Sequence, residues 1–261
     1  MATRLDSFIP TTRSHCTQCR DAATLDFDFT MAFQPIMNLE TDLPFAYEAL
    51  VRGLNGEGAA EILSKVNDDN RYLFDQACRT KAIELAANLQ LHRIPGCHLS
   101  INFLPNAVYR PETCIRSTLK ACSTFDFPSD ILMFEVTEGE RVDDANHLLN
   151  IFKDYSARGF LTAIDDFGAG YAGLNLLSMF QPSVLKIDME LTRNVDKHRA
   201  KRAIVEAIIL VSNALDIQII AEGIETKSER DTLYSMGIIY QQGYLYAPPK
   251  VGALPLAGTT C

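Results

Sequence analysis

Acidic, amide and lysine side chains interrupt a series of short apolar segments along this sequence. These residues are Glu48, Asn102, Glu135, Asp165, Asp166, Lys186, Asp188, Glu222 and Gln242. A charged side chain inside an apolar segment is costly to bury unless it is paired with an opposite charge or binds a metal ion. Lys186 is one cation against acids from five segments, so ion pairing alone does not account for the pattern. The residue types therefore indicate a metal site.

Carboxylate and amide oxygens select hard divalent cations such as Mg²⁺, Mn²⁺ or Ca²⁺. The adjacent acids Asp165 and Asp166 can serve two ions at once, with one carboxylate bridging them. Two ions about 3.5–4 Å apart activate a water molecule and stabilise both oxygens of an in-line displacement at phosphorus. Neighbouring cations would lower the pKa of Lys186, which would then hold or deprotonate the attacking water. Glu222 is an equal candidate for the general base.

Apolar segments alternate with stretches of helical period from about residue 31 onwards. The predicted strands are 31–37, 45–51, 98–103, 131–137, 161–167, 184–188, 217–223 and 238–244. The predicted helices are 58–91 with a break near 67–70, 107–123, 142–158, 172–180, 198–215 and 226–236. Eight such units in 261 residues favour an α/β fold, a (β/α)8 TIM-like barrel whose strand ends converge on one face. The link 38–44 is too short for a parallel crossover, so the first two strands should be antiparallel.

The composition is that of a soluble globular protein, with 47% hydrophobic residues, 22% charged residues and a formal net charge of -9. An acidic surface is poorly suited to duplex nucleic acid, whereas a small phosphate ester can be bound through metal cations. No apolar run approaches the about 18 residues of a membrane-spanning helix, and the first residues lack the apolar region of a secretory signal. We therefore expect a cytoplasmic protein with no membrane partner.

The segment His15-Cys16-Thr17-Gln18-Cys19 stands apart from the barrel pattern. A Cys-x-x-Cys pair beside a histidine can bind zinc or switch by disulfide formation, which makes Cys16 and Cys19 candidate regulatory thiols. A solvated tail with two free thiols is the alternative. We predict an N-terminal tail over 1–28, a barrel domain over 29–255 and a C-terminal tail over 256–261.

The segment YEALVRG (47–53) carries a Glu-Ala-Leu motif, and with it the chain resembles the EAL-domain cyclic di-GMP phosphodiesterases. Seven further segments belong to the same resemblance: FQPI (33–36), SINF (100–103), FEVTEGE (134–140), IDDFGAGYAGL (164–174), LKID (185–188), AEGIET (221–226) and QGYLYAPP (242–249). The resemblance extends from about Phe33 to Pro249. The ordered set is a specific signal, whereas the motif Glu-Ala-Leu alone would not be.

The resemblance implies an enzyme that opens cyclic di-GMP to linear pGpG with two Mg²⁺ or Mn²⁺ ions in each site. The implied metal ligands are Glu48, Asn102, Glu135, Asp165, Asp166 and Glu222, and the implied catalytic residues are Lys186 and Glu222. The implied substrate contacts are Gln34, Arg52, Asp188 and Gln242. Glu138 and Glu225 match supporting acids, and a homodimer is the family's expected assembly.

Two other functions are compatible with the same fold. A catalytically silent relative would bind cyclic di-GMP or a protein partner as a sensor, and such relatives typically lack a metal-binding acid or the lysine. This chain has every one of these residues, which favours activity. A metal-dependent barrel that acts on another phosphodiester is the third hypothesis.

Overall fold

The computed structural model describes residues 25–137, 145–170 and 173–256. The predictions for Glu138, Cys16 and Cys19 lie outside these described residues. Leu25 and Phe27, at the start of the described chain, pack against the core. None of the described helices is long and apolar enough to cross a membrane.

Strands and helices alternate along the described chain. The strands are β1 (Thr30–Asn38), β2 (Leu43–Arg52), β3 (His98–Asn102), β4 (Leu132–Thr137), β5 (Leu161–Phe167), β6 (Val184–Ile187), β7 (Gln218–Ala221), β8 (Tyr240–Gln242) and β9 (Lys250–Val251). The helices are α1 (Ala59–Leu63), α2 (Arg71–Asn88), α3 (Pro111–Thr124), α4 (Ala145–Ala157), α5 (Gly173–Met179), α6 (Met189–Thr192), α7 (Arg199–Ala214) and α8 (Lys227–Ser235). This order confirms the predicted alternation.

Within the described residues, β1 to β8 form a closed ring. The strands β2 to β8 are parallel neighbours in chain order. Strand β1 closes the ring because it pairs antiparallel with both β2 and β8. Both the barrel and the antiparallel first pair are therefore confirmed. Strand β9 was not predicted, and it adds to β1 through the pair Ala32–Val251.

Two local features explain where the predicted elements stop. The break predicted near 67–70 is present because the Asn70 side chain accepts from the Asn67 amide at 2.8 Å and donates to the Lys65 carbonyl at 3.0 Å. Strand β8 is shorter than predicted, and Gly243 follows it directly. A Cβ at Gly243 would lie 2.1 Å from the Ile224 carbonyl oxygen, so only glycine allows this close approach of the two backbones.

An apolar layer fills the interior of the barrel and supports a polar layer. The apolar residues are Ile36, Ala46, Met133, Ala163, Val184 and Ile220. Side chains two positions apart on a strand point to the same face. The residues two positions further towards the open end are Gln34, Glu48, Glu135, Asp165, Lys186 and Glu222. Strand geometry alone therefore brings these polar groups together at one end of the barrel.

Candidate metal centre

Lys186 lies at the centre of the polar layer and is fully buried. Its Nζ is 2.6 Å from Glu222 Oε1, 3.0 Å from Glu135 Oε2, 3.0 Å from Asp165 Oδ1 and 3.3 Å from Glu48 Oε2. One ammonium therefore contacts carboxylates from four different strands or strand ends. It holds these four acids together, although it cannot neutralise all of them.

Glu48 on β2 is held by amide side chains as well as by Lys186. Asn102 Nδ2 donates to its Oε1 at 3.0 Å, and Gln242 Nε2 donates to its Oε2 at 2.8 Å. Gln242 Nε2 also lies 3.3 Å from Gln34 Oε1. These contacts bring four of the sequence-predicted residues into one network, in which Glu48 accepts from Asn102 and Gln242, and Gln34 accepts from Gln242.

Strand β5 departs from regular geometry where its two acids stand. Its pairing with β6 shifts register between Ile164 and Phe167, and Asp166 has a left-handed backbone with φ 53°. Neighbouring residues of a regular strand face opposite sides. The irregularity allows carboxylate oxygens of both Asp165 and Asp166 to approach Glu222, because an aspartate tolerates the left-handed region better than most residues.

The acids fall into two groups of three, each with oxygens within 4.8 Å of one another. The first group is Glu48, Glu135 and Asp165, and the second is Asp165, Asp166 and Glu222. Asp165 belongs to both groups. Within the described chain, Glu135 Oε1 is buried and makes no hydrogen bond, although a carboxylate oxygen normally accepts one. This all-oxygen donor set with an unsatisfied buried oxygen fits hard divalent cations.

The carboxylates determine the protonation state of Lys186. Burial alone would lower the pKa of Lys186, but Asp165, Glu135, Glu222 and Glu48 together raise it well above its usual value. With only the protein's own charges around it, the Lys186 side chain is therefore protonated. The lowered pKa predicted for Lys186 depends on neighbouring cations, and the protein's own charges act in the opposite direction.

Crowding and burial perturb the acids in different directions. Burial, followed by the nearby charges of Glu48 and Asp165, raises the pKa of Glu135 to about 8. Burial and the charge of Asp165 raise the pKa of Asp166 to about 6. Burial also acts to raise the pKa of Glu48, but Lys186 and the two amides outweigh it, so that this pKa is lowered. The surroundings of Glu48 thus favour its ionised form.

We expect Mg²⁺ to raise the Tm of the protein more at pH 8 than at pH 6. Between about pH 4.5 and about pH 8 the native Glu135 retains a proton that the unfolded chain has released. This difference makes the free energy of unfolding fall as the pH rises through that window. Mg²⁺ competes with that proton, so its stabilising effect should grow as the proton is lost.

Thermal unfolding with and without MgCl₂ at the two pH values measures this effect. The variant Glu135→Gln is the control because it removes the titrating group. If Mg²⁺ raised the Tm of the unmodified protein by the same amount at both pH values, the prediction would be contradicted.

Of three further predicted residues, Asp188 and Glu225 line the cleft above the site, and Arg52 is the last residue of β2. Asp188 is buried, and its carboxylate caps α6 by accepting from the Glu190 amide at 2.7 Å. The Arg52 guanidinium donates to its neighbour's carbonyl, that of Val51, at 2.7 Å. Glu225 forms an ion pair with Arg193. The roles of Asp188, Arg52 and Glu225 towards a substrate stay predictions.

A cleft of about 670 Å³ opens above the centre. Its walls include Glu48, Asp165, Asp166 and Glu222, the apolar side chains of Phe74, Ile101 and Phe103, and Tyr244. Arg193 is the one basic side chain that lines the cleft in the described part of the chain. Sequence reasoning missed it because it follows the short helix α6, beyond the LKID segment, where the sequence shows no apolar period.

A family model described as "EAL domain" matches residues 18–249 of this chain. Two solved structures have the same fold. A standalone versatile EAL protein from Vibrio cholerae O395, in its cyclic di-GMP-bound form, is 52% identical, with a TM-score of 0.85 over 90% of this chain and 98% of that one. BlrP1 from Klebsiella pneumoniae, in a manganese and cyclic di-GMP complex, is 31% identical, with a TM-score of 0.81 over 90% of this chain and 60% of that one.

Two curated relatives from Escherichia coli K12 carry different functional names. The blue light- and temperature-regulated antirepressor BluF is 32% identical over 91% of this chain, which spans 58% of BluF. The cyclic di-GMP phosphodiesterase PdeR is 32% identical over 52% of this chain, and the match spans 20% of PdeR. This chain therefore corresponds to only a part of each of these two proteins.

Proposed function

Because this chain belongs to the EAL domain family, we propose that it is a phosphodiesterase that opens cyclic di-GMP to linear pGpG. The observation that carries the proposal is the convergence of the acidic groups and Asn102 around Lys186. A cyclic di-GMP-bound structure at 52% identity and a relative named as a cyclic di-GMP phosphodiesterase support the substrate.

Two ions, Mg²⁺ or Mn²⁺, would be held by the two groups of acids. We assign Glu48, Glu135 and Asp165, with the Asn102 amide beside them, to one ion. Asp165, Asp166 and Glu222 are assigned to the other ion. When bound, these ions supply positive charge for the phosphoryl oxygens and for the attacking water. The manganese complex of BlrP1 supports this choice of cation.

Glu222 is the residue that we assign to take the proton from the attacking water. Its side chain is 15% exposed towards the cleft, whereas that of Lys186 is fully buried beneath the carboxylates. In the reaction the water oxygen bonds to phosphorus and the bond from phosphorus to the 3′ oxygen breaks. The 3′ oxygen takes up one proton from solvent and Glu222 later releases the proton of the attacking water to solvent, so that the net reaction consumes a single water. Lys186 holds the acids in place throughout.

The cleft offers several groups to the rest of the substrate. Its volume of about 670 Å³ lies within the usual range of small-molecule sites. Gln34, Gln242 and Asp188 line the cleft beside the acids. Arg52 remains our candidate for a phosphate contact, which requires its guanidinium to leave the Val51 carbonyl. A guanidinium is well suited to phosphate because it donates two parallel hydrogen bonds.

A cyclic di-GMP sensor without activity is the second candidate function. The name of BluF, an antirepressor, favours it because that name describes control of another protein rather than hydrolysis. The full set of acids around Lys186 in this chain argues against a sensor without activity.

The deciding experiment incubates purified protein with cyclic di-GMP and either Mg²⁺ or Mn²⁺, and separates the nucleotides by chromatography. We expect pGpG to form with the unmodified protein and to disappear with EDTA or with Glu48→Gln. In this variant a side-chain NH₂ replaces one of the two carboxylate oxygens and would face the donor of either Asn102 or Gln242. Binding of cyclic di-GMP without product would support the sensor. Hydrolysis of bis(4-nitrophenyl) phosphate, but not of cyclic di-GMP, would point to another phosphodiester.

We keep as proposals the homodimer, the cytoplasmic location, the domain boundaries at 28 and 255, and a regulatory role for Cys16 and Cys19. Light scattering on the purified protein tests the dimer. Comparing the activity of Cys16→Ser and Cys19→Ser under reducing and oxidising conditions tests the thiols.

A further inference from the structure

Helix α2 buries an ion pair that the proposed reaction does not use. The side chains of Arg79 and Asp75 are 0% and 1% exposed, and Arg79 Nε lies 2.9 Å from Asp75 Oδ2. Burying such a pair removes two charges from water, and apolar residues of similar volume often give equal or greater stability. The pair is thus weak evidence for stability alone, and its surroundings indicate another role.

Asp75 reaches the backbone that follows a proposed metal ligand. Its Oδ1 accepts from the Leu104 amide at 2.9 Å, two residues after Asn102. The amide between them, that of Phe103, donates to the Glu135 carbonyl at 3.0 Å. The chain leaving β3 is therefore fixed at two successive amides, one bonded to β4 and the other to α2.

Arg79 contacts aromatic side chains that are next to the metal centre in the chain. Its guanidinium carbon lies 5.6 Å from the centre of the Phe103 ring and 5.3 Å from that of Phe134. A third contact comes from α4, where Arg79 donates to the Tyr155 hydroxyl at 2.7 Å. Phe103 and Phe134 are the immediate chain neighbours of Asn102 and Glu135, which lie in the metal centre. The guanidinium thus packs on the chain neighbours of Asn102 and Glu135, whose side chains alternate in direction with those two polar residues.

We propose that Asp75 and Arg79 are positioning residues for the metal centre, acting through the Leu104 amide on Asn102. This inference rests on the proposed function in one respect, since it takes Asn102 to be a metal ligand. Groups that orient metal ligands typically change metal affinity by about 10–100-fold when they are lost. Asn102 also donates to Glu48, so a shift at the end of β3 is passed on to a second acid.

Two double variants separate positioning from stability. Asp75→Asn with Arg79→Met, the acceptor-retaining variant, removes both charges but keeps an oxygen that can accept from the Leu104 amide. Asp75→Leu with Arg79→Met, the acceptor-free variant, removes both charges and that oxygen. Neither variant leaves a lone buried charge, which would by itself destabilise the fold. Calorimetric Mn²⁺ affinity, urea unfolding, and kcat and KM for cyclic di-GMP are measured on each.

We expect the acceptor-free variant to bind Mn²⁺ about tenfold more weakly than the acceptor-retaining variant, and its kcat to fall with little change in KM. The control is Val205→Ala on α7, a buried core residue in the other half of the barrel, which should lower stability without changing Mn²⁺ affinity. Equal Mn²⁺ affinity in the two double variants would overturn the proposal.

A milder variant keeps the test decisive if the acceptor-free variant does not fold. Tyr155→Phe removes only the hydroxyl that holds Arg79, and we expect it to weaken Mn²⁺ binding measurably but by less than the about tenfold difference expected between the double variants. An unchanged affinity would then overturn the proposal. Mn²⁺ binding decides the question even if the unmodified protein does not hydrolyse cyclic di-GMP, because that failure bears only on the proposed function.

Discussion

Replacing Lys186 with methionine should abolish hydrolysis and make the fold depend on divalent metal. The substitution leaves three buried carboxylates and the partly exposed Glu222 without the ammonium that contacts each of them. Removing one partner of a buried ion pair typically costs about 3–5 kcal/mol of stability. We expect a loss of that size in EDTA. Mn²⁺ should restore much of it, since bound cations compensate the same carboxylates.

The measurements for this variant are urea unfolding with EDTA and with Mn²⁺, together with pGpG formation. Activity should stay lost in Mn²⁺, because the ions do not replace the group that orders the four acids. The matched control is Lys120→Met on α3, which removes an exposed lysine. Stability in EDTA equal to that of the unmodified protein would mean that Lys186 does not hold the acids together.

Asp165→Asn should reduce Mn²⁺ binding at both positions, whereas Asp166→Asn should reduce it at one. Asp165 is the acid shared by the two groups of three, and Asp166 belongs only to the second group. Asparagine also tolerates the left-handed backbone at Asp166, where φ is 53°, so Asp166→Asn changes the charge without straining the chain. The two variants therefore differ in the number of ions affected rather than in folding.

Calorimetric titration with Mn²⁺ counts the ions in each variant. We expect two ions in the unmodified protein, one in Asp166→Asn and weak binding at both positions in Asp165→Asn. Hydrolysis should fall by more than about a hundredfold in both variants, since the reaction requires both ions. A full complement of ions in Asp165→Asn would contradict the shared role of this residue.

The barrel and most of the metal centre were predictable because they follow from simple periodicity. Apolar segments that alternate with helical stretches indicate parallel strands, and parallel strands end on one face. A polar residue two positions beyond an interior apolar residue must then lie in the site. This reasoning is enough to place Glu48, Glu135 and Glu222 together.

Features that depend on local irregularity or on contacts distant in the sequence were not predictable. The register shift in β5 that brings Asp166 beside Asp165 leaves no trace in a pattern of period two. The orientation of Arg52 towards its neighbour's carbonyl depends on rotamers.

The pair of Asp75 and Arg79, in contrast, did leave a signal in the sequence, since charges four residues apart continue the buried face of α2.

The ring closes through β1 and β8, so it can close only late in the protein's synthesis. Gln34 and Gln242, which meet beside Glu48, are 208 positions apart in the chain. At the usual pace of translation the first strands emerge roughly 10–40 s before their last neighbour does. Throughout that interval β1 has an unpaired edge, and Glu48 lacks Gln242, the last of its three hydrogen-bond donors in the chain. A complete metal centre therefore first exists only after nearly the whole barrel has left the ribosome.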